Sequence, residues 1–243
     1  MSDPKQTATA FAAALRDTFG ERLRGVLLYG SVARGEAIPG ASDINVLVLL
    51  DRIDADVLTA GSPLARRWSK AGNAAPLFMA EDEWRRAADV FAIELADMRD
   101  AHEVLHGPDP LASLEVDRAA LRLQTERELR GKLLQLREGM LLAAEEEEAV
   151  GRLLMVALPS FVTYLRATLR LAGRDAPLRT PDVLEEAGRL LEADPSPLAR
   201  VWEARNRRQP IRVGVGDPLT RGYYALAERT AAFVDHLSEP RTQ

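Results

Sequence analysis

Phe11, Ala14, Leu15 and Phe19 recur at helical spacing and Gly20 offers a stop, so the chain is predicted to open with a helix over about 5–19. The next apolar run, Gly25-Val26-Leu27-Leu28-Tyr29, is too short for a helix, and it reads as a buried strand ending at Gly30. A loop with Gly and Pro, Gly35 to Gly40, separates it from Ile44-Asn45-Val46-Leu47-Val48-Leu49-Leu50, whose continuity predicts a strand buried on both faces. A helix over 55–71, a strand over 77–79 and a short helix over 81–88 follow. Val90 to Leu95 then reads as a further strand with Glu94 its only charge, and a helix over 98–106 stops at Gly107-Pro108.

Beyond Pro110 the strand patterns end. Leu129, Leu133, Leu136 and Met140 define one apolar face of a long helix. A second helix, over 149–171, contains Pro159, which removes one backbone donor. Thr180-Pro181 reads as an N-cap with Pro at the first helical position. Another helix begins near Pro197, and a last one, over 219–237, is predicted to bury Tyr223, Leu226, Phe233 and Leu237. Two units follow from this change of pattern, 1–110 with strands and 111–243 as a helical bundle. The acidic run Glu145 to Glu148 reads as a solvated helix end.

Composition narrows the function classes. With 243 residues the chain can hold one large or two small cores. The formal charge of -5 argues against stable nucleic-acid binding, which rests on many Lys and Arg neutralising phosphates. There is no cysteine, hence no disulfide, thiolate nucleophile or Cys-bound zinc. No signal pattern or apolar run of membrane-span length stands out, so a cytoplasmic protein without a membrane partner is expected. A homo-oligomer is compatible with this composition.

The chemistry gathers around the first two strands. Gly30 and Ser31 follow a strand where a short helix is expected to open, and exposed amides there bind anions. Ser31 adds a hydroxyl, and Arg34 adds charge one turn further on. Asp43 and Asn45 stand two apart at a strand start, so both side chains point to one face. Two oxygen donors there suit Mg²⁺, with Mn²⁺ as the substitute, held together with substrate phosphates. Glu94 would join them from its own strand.

Gly30-Ser31-Val32-Ala33-Arg34-Gly35-Glu36 followed by Ser42-Asp43-Ile44-Asn45-Val46-Leu47-Val48 resembles the Gly-Ser, spacer, Asp-x-Asp signature of the polymerase β-like nucleotidyltransferase superfamily. Ile93-Glu94-Leu95 is similar to the strand that carries that superfamily's third acidic residue. The helical remainder resembles the bundles of the kanamycin and aminoglycoside branch and of minimal nucleotidyltransferases. The resemblance implies an α/β (α+β) fold, a small mixed sheet with flanking helices followed by an all-α bundle. It also implies transfer of a nucleoside monophosphate from a nucleoside triphosphate to a hydroxyl-bearing acceptor, a small molecule or a protein, with release of pyrophosphate. Gly30, Ser31 and Arg34 would then hold phosphates, Asp43, Asn45 and Glu94 would bind metal, and Asp43 and Glu94 would be catalytic. Asn45 departs from the pattern, since a neutral amide stands where a bridging carboxylate is expected; the alternative implied is a weak or inactive nucleotide-binding or regulatory protein of the same fold.

His102-Glu103-Val104-Leu105-His106 also matches H-E-x-x-H, a helical zinc-hydrolase pattern. Gly107-Pro108 follows it at once and no nearby third His supplies a ligand, so an ordinary helix is the favoured reading. Arg122, Arg127, Arg130, Lys132 and Arg137 are read as the solvated face opposite the Leu stripe.

Overall fold

The computed structural model describes residues 3–38 and 42–237; positions 39–41 of the predicted Gly35 to Gly40 loop lie outside the described residues. The chain divides into two compact units, Met1–Val116 and Asp117–Gln243.

In the first unit, α1 (Pro4–Phe19) starts on Asp3, whose carboxylate accepts from the Lys5 amide, and stops at Gly20 with φ 53°. The strands β1 (Leu23–Tyr29) and β2 (Asn45–Leu50) pair antiparallel. After α2 (Ala55–Lys70), strand β3 (Leu77–Ala80) joins β2 in parallel, and the short helix α3 (Glu81–Arg85) follows. Helix α4 (Ala92–Asp100) then leads into β4 (His102–His106), which pairs antiparallel with β1. The result is a small mixed four-stranded sheet of order β3-β2-β1-β4, flanked by helices.

Alternation along the strands gives the sheet two cores. Val26, Leu28, Val46, Val48 and Leu50 pack against α1 and α2, where Phe11 stacks on Trp68 at 4.3 Å between ring centroids. Leu27, Leu47 and Leu49 pack on the other side against Trp84, Leu95, Met98 and Leu111.

The segment from Val90 to His106 reverses the sequence expectation. Residues 92–95, expected to be strand, lie in helix α4, whose 98–100 are helical as expected, while residues 102–106, expected to be helix, form strand β4. Ala92, Leu95 and Ala96 share a buried face at three-to-four-residue spacing, with Ile93 and Met98 also buried, whereas Glu94 and, in the last turn, Arg99 and Asp100 are exposed. β4 is an edge strand, where half-buried His and Glu are at home.

The second unit is a helical bundle: α5 (Arg118–Leu142), α6 (Glu147–Leu171), α7 (Thr180–Leu191), α8 (Ser196–Asn206) and α9 (Pro218–Asp235). Asp117 caps α5 by accepting from the Ala120 amide. The predicted Leu129, Leu133, Leu136, Met140 face is buried. Helix α6, 25 residues long, is apolar enough by length and composition to cross a membrane, contrary to the sequence expectation. Its place against α5, α7, α8 and α9 accounts for that composition, since Leu154, Leu158, Phe161 and Leu165 are buried among them. Thr180 is already inside α7, with Arg179 in the cap position and no side-chain cap bond. Phe233 and Leu237 are only half-buried.

Candidate active site

β1 ends at Tyr29 and the backbone turns at Gly30, where φ is +79°. A Cβ there would lie 2.9 Å from Asn45 Nδ2, so this position needs glycine both for its backbone angle and for the close approach of β2. The expected short helix is instead a tight turn. The Arg34 amide donates to the Gly30 carbonyl, Gly35 to Val32 and Glu36 to Ser31. The amides of Ser31, Val32 and Ala33 donate to no acceptor among the described residues. Successive amides left free in a turn form an anion-binding concavity.

Ser42 closes the following loop, its amide donating to the Ile38 carbonyl and its hydroxyl accepting from the Ile38 amide at 2.8 Å. Asp43 follows and is exposed just ahead of β2. Asn45 is the first residue of β2, half-buried and paired with Tyr29, which is in turn paired with His102. A row of Asn45, Tyr29 and His102 thus crosses three adjacent strands beside the Gly30 turn.

Glu94 reaches this end of the sheet from α4 rather than from a strand, as a correction to the sequence reading. It is exposed, and its charge helps to raise the Tyr29 phenol above its ordinary range, burial being the larger cause. Arg34 is committed elsewhere: its Nη1 lies 2.7 Å from Asp97 Oδ2 on α4, with Glu36 at 4.0 Å from Nε. The Arg34 and Asp97 side chains keep only 11% and 15% of their surface, so this ion pair ties the turn to the helix carrying Glu94. The sequence held no signal for that pair, whose members are 63 positions apart.

His102 and His106 are four residues apart on a strand, roughly 13 Å along the chain, too far to share one zinc ion. His102 Nδ1 lies 2.9 Å from the Met98 carbonyl and donates to it, while Nε2 lies 3.4 Å from Asp109. Among the described residues no three His, Cys, Asp or Glu side chains gather as a metal site. With Asn45 neutral, the expected donor set contains only two carboxylates, Asp43 and Glu94.

The chain thus carries a small mixed four-stranded sheet with a glycine turn between its first two strands, followed by a helical bundle, an architecture it shares with a solved nucleotidyltransferase. The chain is similar to the crystal structure of spectinomycin adenyltransferase AAD(9) from Enterococcus faecialis, determined with ATP and spectinomycin. The TM-score is 0.56 over 94% of this chain and 99% of that one, at 12% identity, a likeness of fold. No family model and no curated protein matches the sequence.

Proposed function

We propose that the protein is a nucleotidyltransferase that moves a nucleoside monophosphate from a nucleoside triphosphate to a hydroxyl group of an acceptor. The observation that carries this reading is the Gly30 turn, whose amides at Ser31, Val32 and Ala33 meet no acceptor among the described residues, and its close approach to Asn45. We assign Gly30 and Ser31 to the β- and γ-phosphates, the amides and the Ser31 hydroxyl donating to phosphate oxygens. Arg34, paired with Asp97, contributes by fixing the turn.

Asp43, exposed just ahead of β2, is assigned to hold Mg²⁺ or Mn²⁺ together with phosphate oxygens, and Asn45 adds a neutral oxygen. One carboxylate plus substrate phosphates fits a single Mg²⁺, whereas a two-metal set would want the carboxylate that Asn45 lacks. When bound, the ion offsets negative charge on the phosphates and on the departing pyrophosphate. Glu94 is assigned as the general base. It takes the proton of the acceptor hydroxyl as that oxygen attacks the α-phosphorus, and the bond from the α-phosphorus to the bridging oxygen breaks. The fold likeness to a protein solved with ATP and spectinomycin supports a nucleotide donor and a small-molecule acceptor.

Pyrophosphate release with ATP, Mg²⁺ and a panel of aminocyclitol and aminoglycoside acceptors tests this. Release that Asp43→Ala abolishes is expected; release unchanged by that substitution rejects the assignment.

Asn45 favours a second reading, a nucleotide-binding module without turnover. Calorimetry with a non-hydrolysable triphosphate separates the two. Binding without turnover on any acceptor, strengthened in Asn45→Asp, selects the second; no Mg²⁺-dependent binding in either form rejects both.

A further inference from the structure

The helical unit contains a cavity lined by none of the residues assigned to the nucleotide chemistry. It lies between the last turns of α5 and the first turns of α9, and its volume is about 530 Å³. That is within the range of small-molecule sites. It sits roughly 30 Å along α5 from that helix's first residue.

One side is apolar. Met140, Leu141 and Val215 line it, and Leu141 is 79% exposed, so no other described part of the chain covers it. The other side carries positive charge. Arg137 donates to the Tyr224 hydroxyl and pairs with Glu228 at 3.3 Å, which offsets its charge. Arg221 is exposed at the rim and makes no ion pair among the described residues. Its Nη2 lies 3.6 Å from where a Cβ on Gly216 would sit, so the guanidinium folds back beside Val215. Arg122, Arg130, Arg189 and Arg212 in the same unit each have an acidic partner, whereas Arg221, without one among the described residues, is the arginine of that kind that lines this cavity. Thr220 also lines the cavity, and its buried hydroxyl has no hydrogen-bond partner among the described residues. A buried polar atom without a partner is costly, and an oxygen brought by a ligand would relieve it.

We propose that this cavity binds a small amphipathic carboxylate, with its apolar body over Leu141 and Val215 and its anionic head on Arg221. A cationic head would meet Arg221 and Arg137 unfavourably. A neutral head would leave Arg221 unpaired.

Calorimetric titration of the whole chain with decanoate, below its micelle-forming concentration, should show one saturable site. Decyltrimethylammonium, with the same tail and the opposite charge, should show none. Arg221→Glu should weaken decanoate by at least about tenfold, the scale of a lost charge-assisted hydrogen bond. Leu141→Asp should do the same by wetting the apolar side, while Arg152→Glu, in the same unit but not among the residues lining the cavity, should leave the affinity unchanged. Leu141 and Arg221 are exposed, and circular dichroism checks that each variant is folded. Equal binding of both amphiphiles, decanoate binding untouched by Arg221→Glu, or no saturable binding to the wild type overturns the proposal. Self-association that Leu141→Asp abolishes, without decanoate binding, also overturns it and assigns the surface to a second copy of the chain.

Discussion

The two faces of the four-stranded sheet are made from alternate residues of the same strands, yet only one of them ends in polar side chains. On the α1 and α2 side, Val26, Leu28, Val46, Val48 and Leu50 are buried against apolar partners along the whole strand length. On the α3 and α4 side the apolar rows stop early. Leu27, Leu47 and Leu49 give way to Tyr29 and Asn45, with Glu94 and Asp97 on the covering helix. A continuous apolar face stabilises the fold without presenting any group to a ligand, and an interrupted one leaves room for polar side chains at the strand ends. The Gly30 turn, at the end of the interrupted face, inherits both a rigid floor and polar neighbours.

The sharpest way to break this contrast is to cut each face once. Leu28→Ala removes a fully buried side chain from the continuous face and should cost about 2–5 kcal/mol in urea unfolding. Asn45→Ala, at the end of the other face, should cost about 1 kcal/mol or less, because a half-buried amide is traded for water. Equal losses would show that both faces serve stability alike. Next in size is Asp97→Ala, which leaves the Arg34 guanidinium buried without its 2.7 Å partner and should cost about 3 kcal/mol. Asp97→Asn keeps one acceptor and should cost less. A smaller loss than from an exposed pair such as Arg85 with Glu81 would mean that the pair does not hold the turn.

Gly30→Ala comes third. Forcing a side chain into positive φ costs roughly 1–2 kcal/mol, and the new methyl would displace Asn45. The stability change should be modest, whereas triphosphate affinity should fall at least about tenfold, since the free amides lose their arrangement. Gly35→Ala provides the control, because its Cβ meets nothing within 4 Å although its φ is also positive. If both variants lose affinity equally, backbone strain rather than the contact with Asn45 is responsible.

How far the sequence revealed all this depended on how each segment is buried. β1 and β2 were legible because short apolar runs bounded by glycine and by Asp43 admit few other readings. Val90 to His106 was not. Six residues with one charge satisfy a buried strand as well as a helix end, and His102 to His106 imitates a helical zinc motif while serving as an edge strand. What decides between them is tertiary: the β1 edge needs a partner, and Tyr29 takes His102. Gly30, Ser31, Asp43 and Asn45 were visible as local spacing, whereas the tie from Arg34 to Asp97 joins two elements that no local pattern connects. Likewise, a free arginine beside an exposed leucine cannot be read from a string of helical residues, since pairing is settled only when helices pack.

The smallest predicted effect tests the least direct part of the site, the approach of Glu94 to Tyr29. Burial, and then the Glu94 charge, raise the Tyr29 phenol above its ordinary value. A raised phenol means that the folded state holds the proton more tightly than the unfolded one. The associated stabilisation is therefore complete below the ordinary phenol range and is lost as pH rises through the raised value. Glu94→Gln removes the second cause and leaves the first, so in an ultraviolet titration of phenolate one tyrosine should ionise at lower pH than in the wild type. Tyr29→Phe identifies that tyrosine among the four in the chain. A titration identical in wild type and Glu94→Gln would place the carboxylate too far from Tyr29 to share its end of the sheet, and would remove Glu94 from the base role while leaving the Gly30 turn and Asp43 untouched.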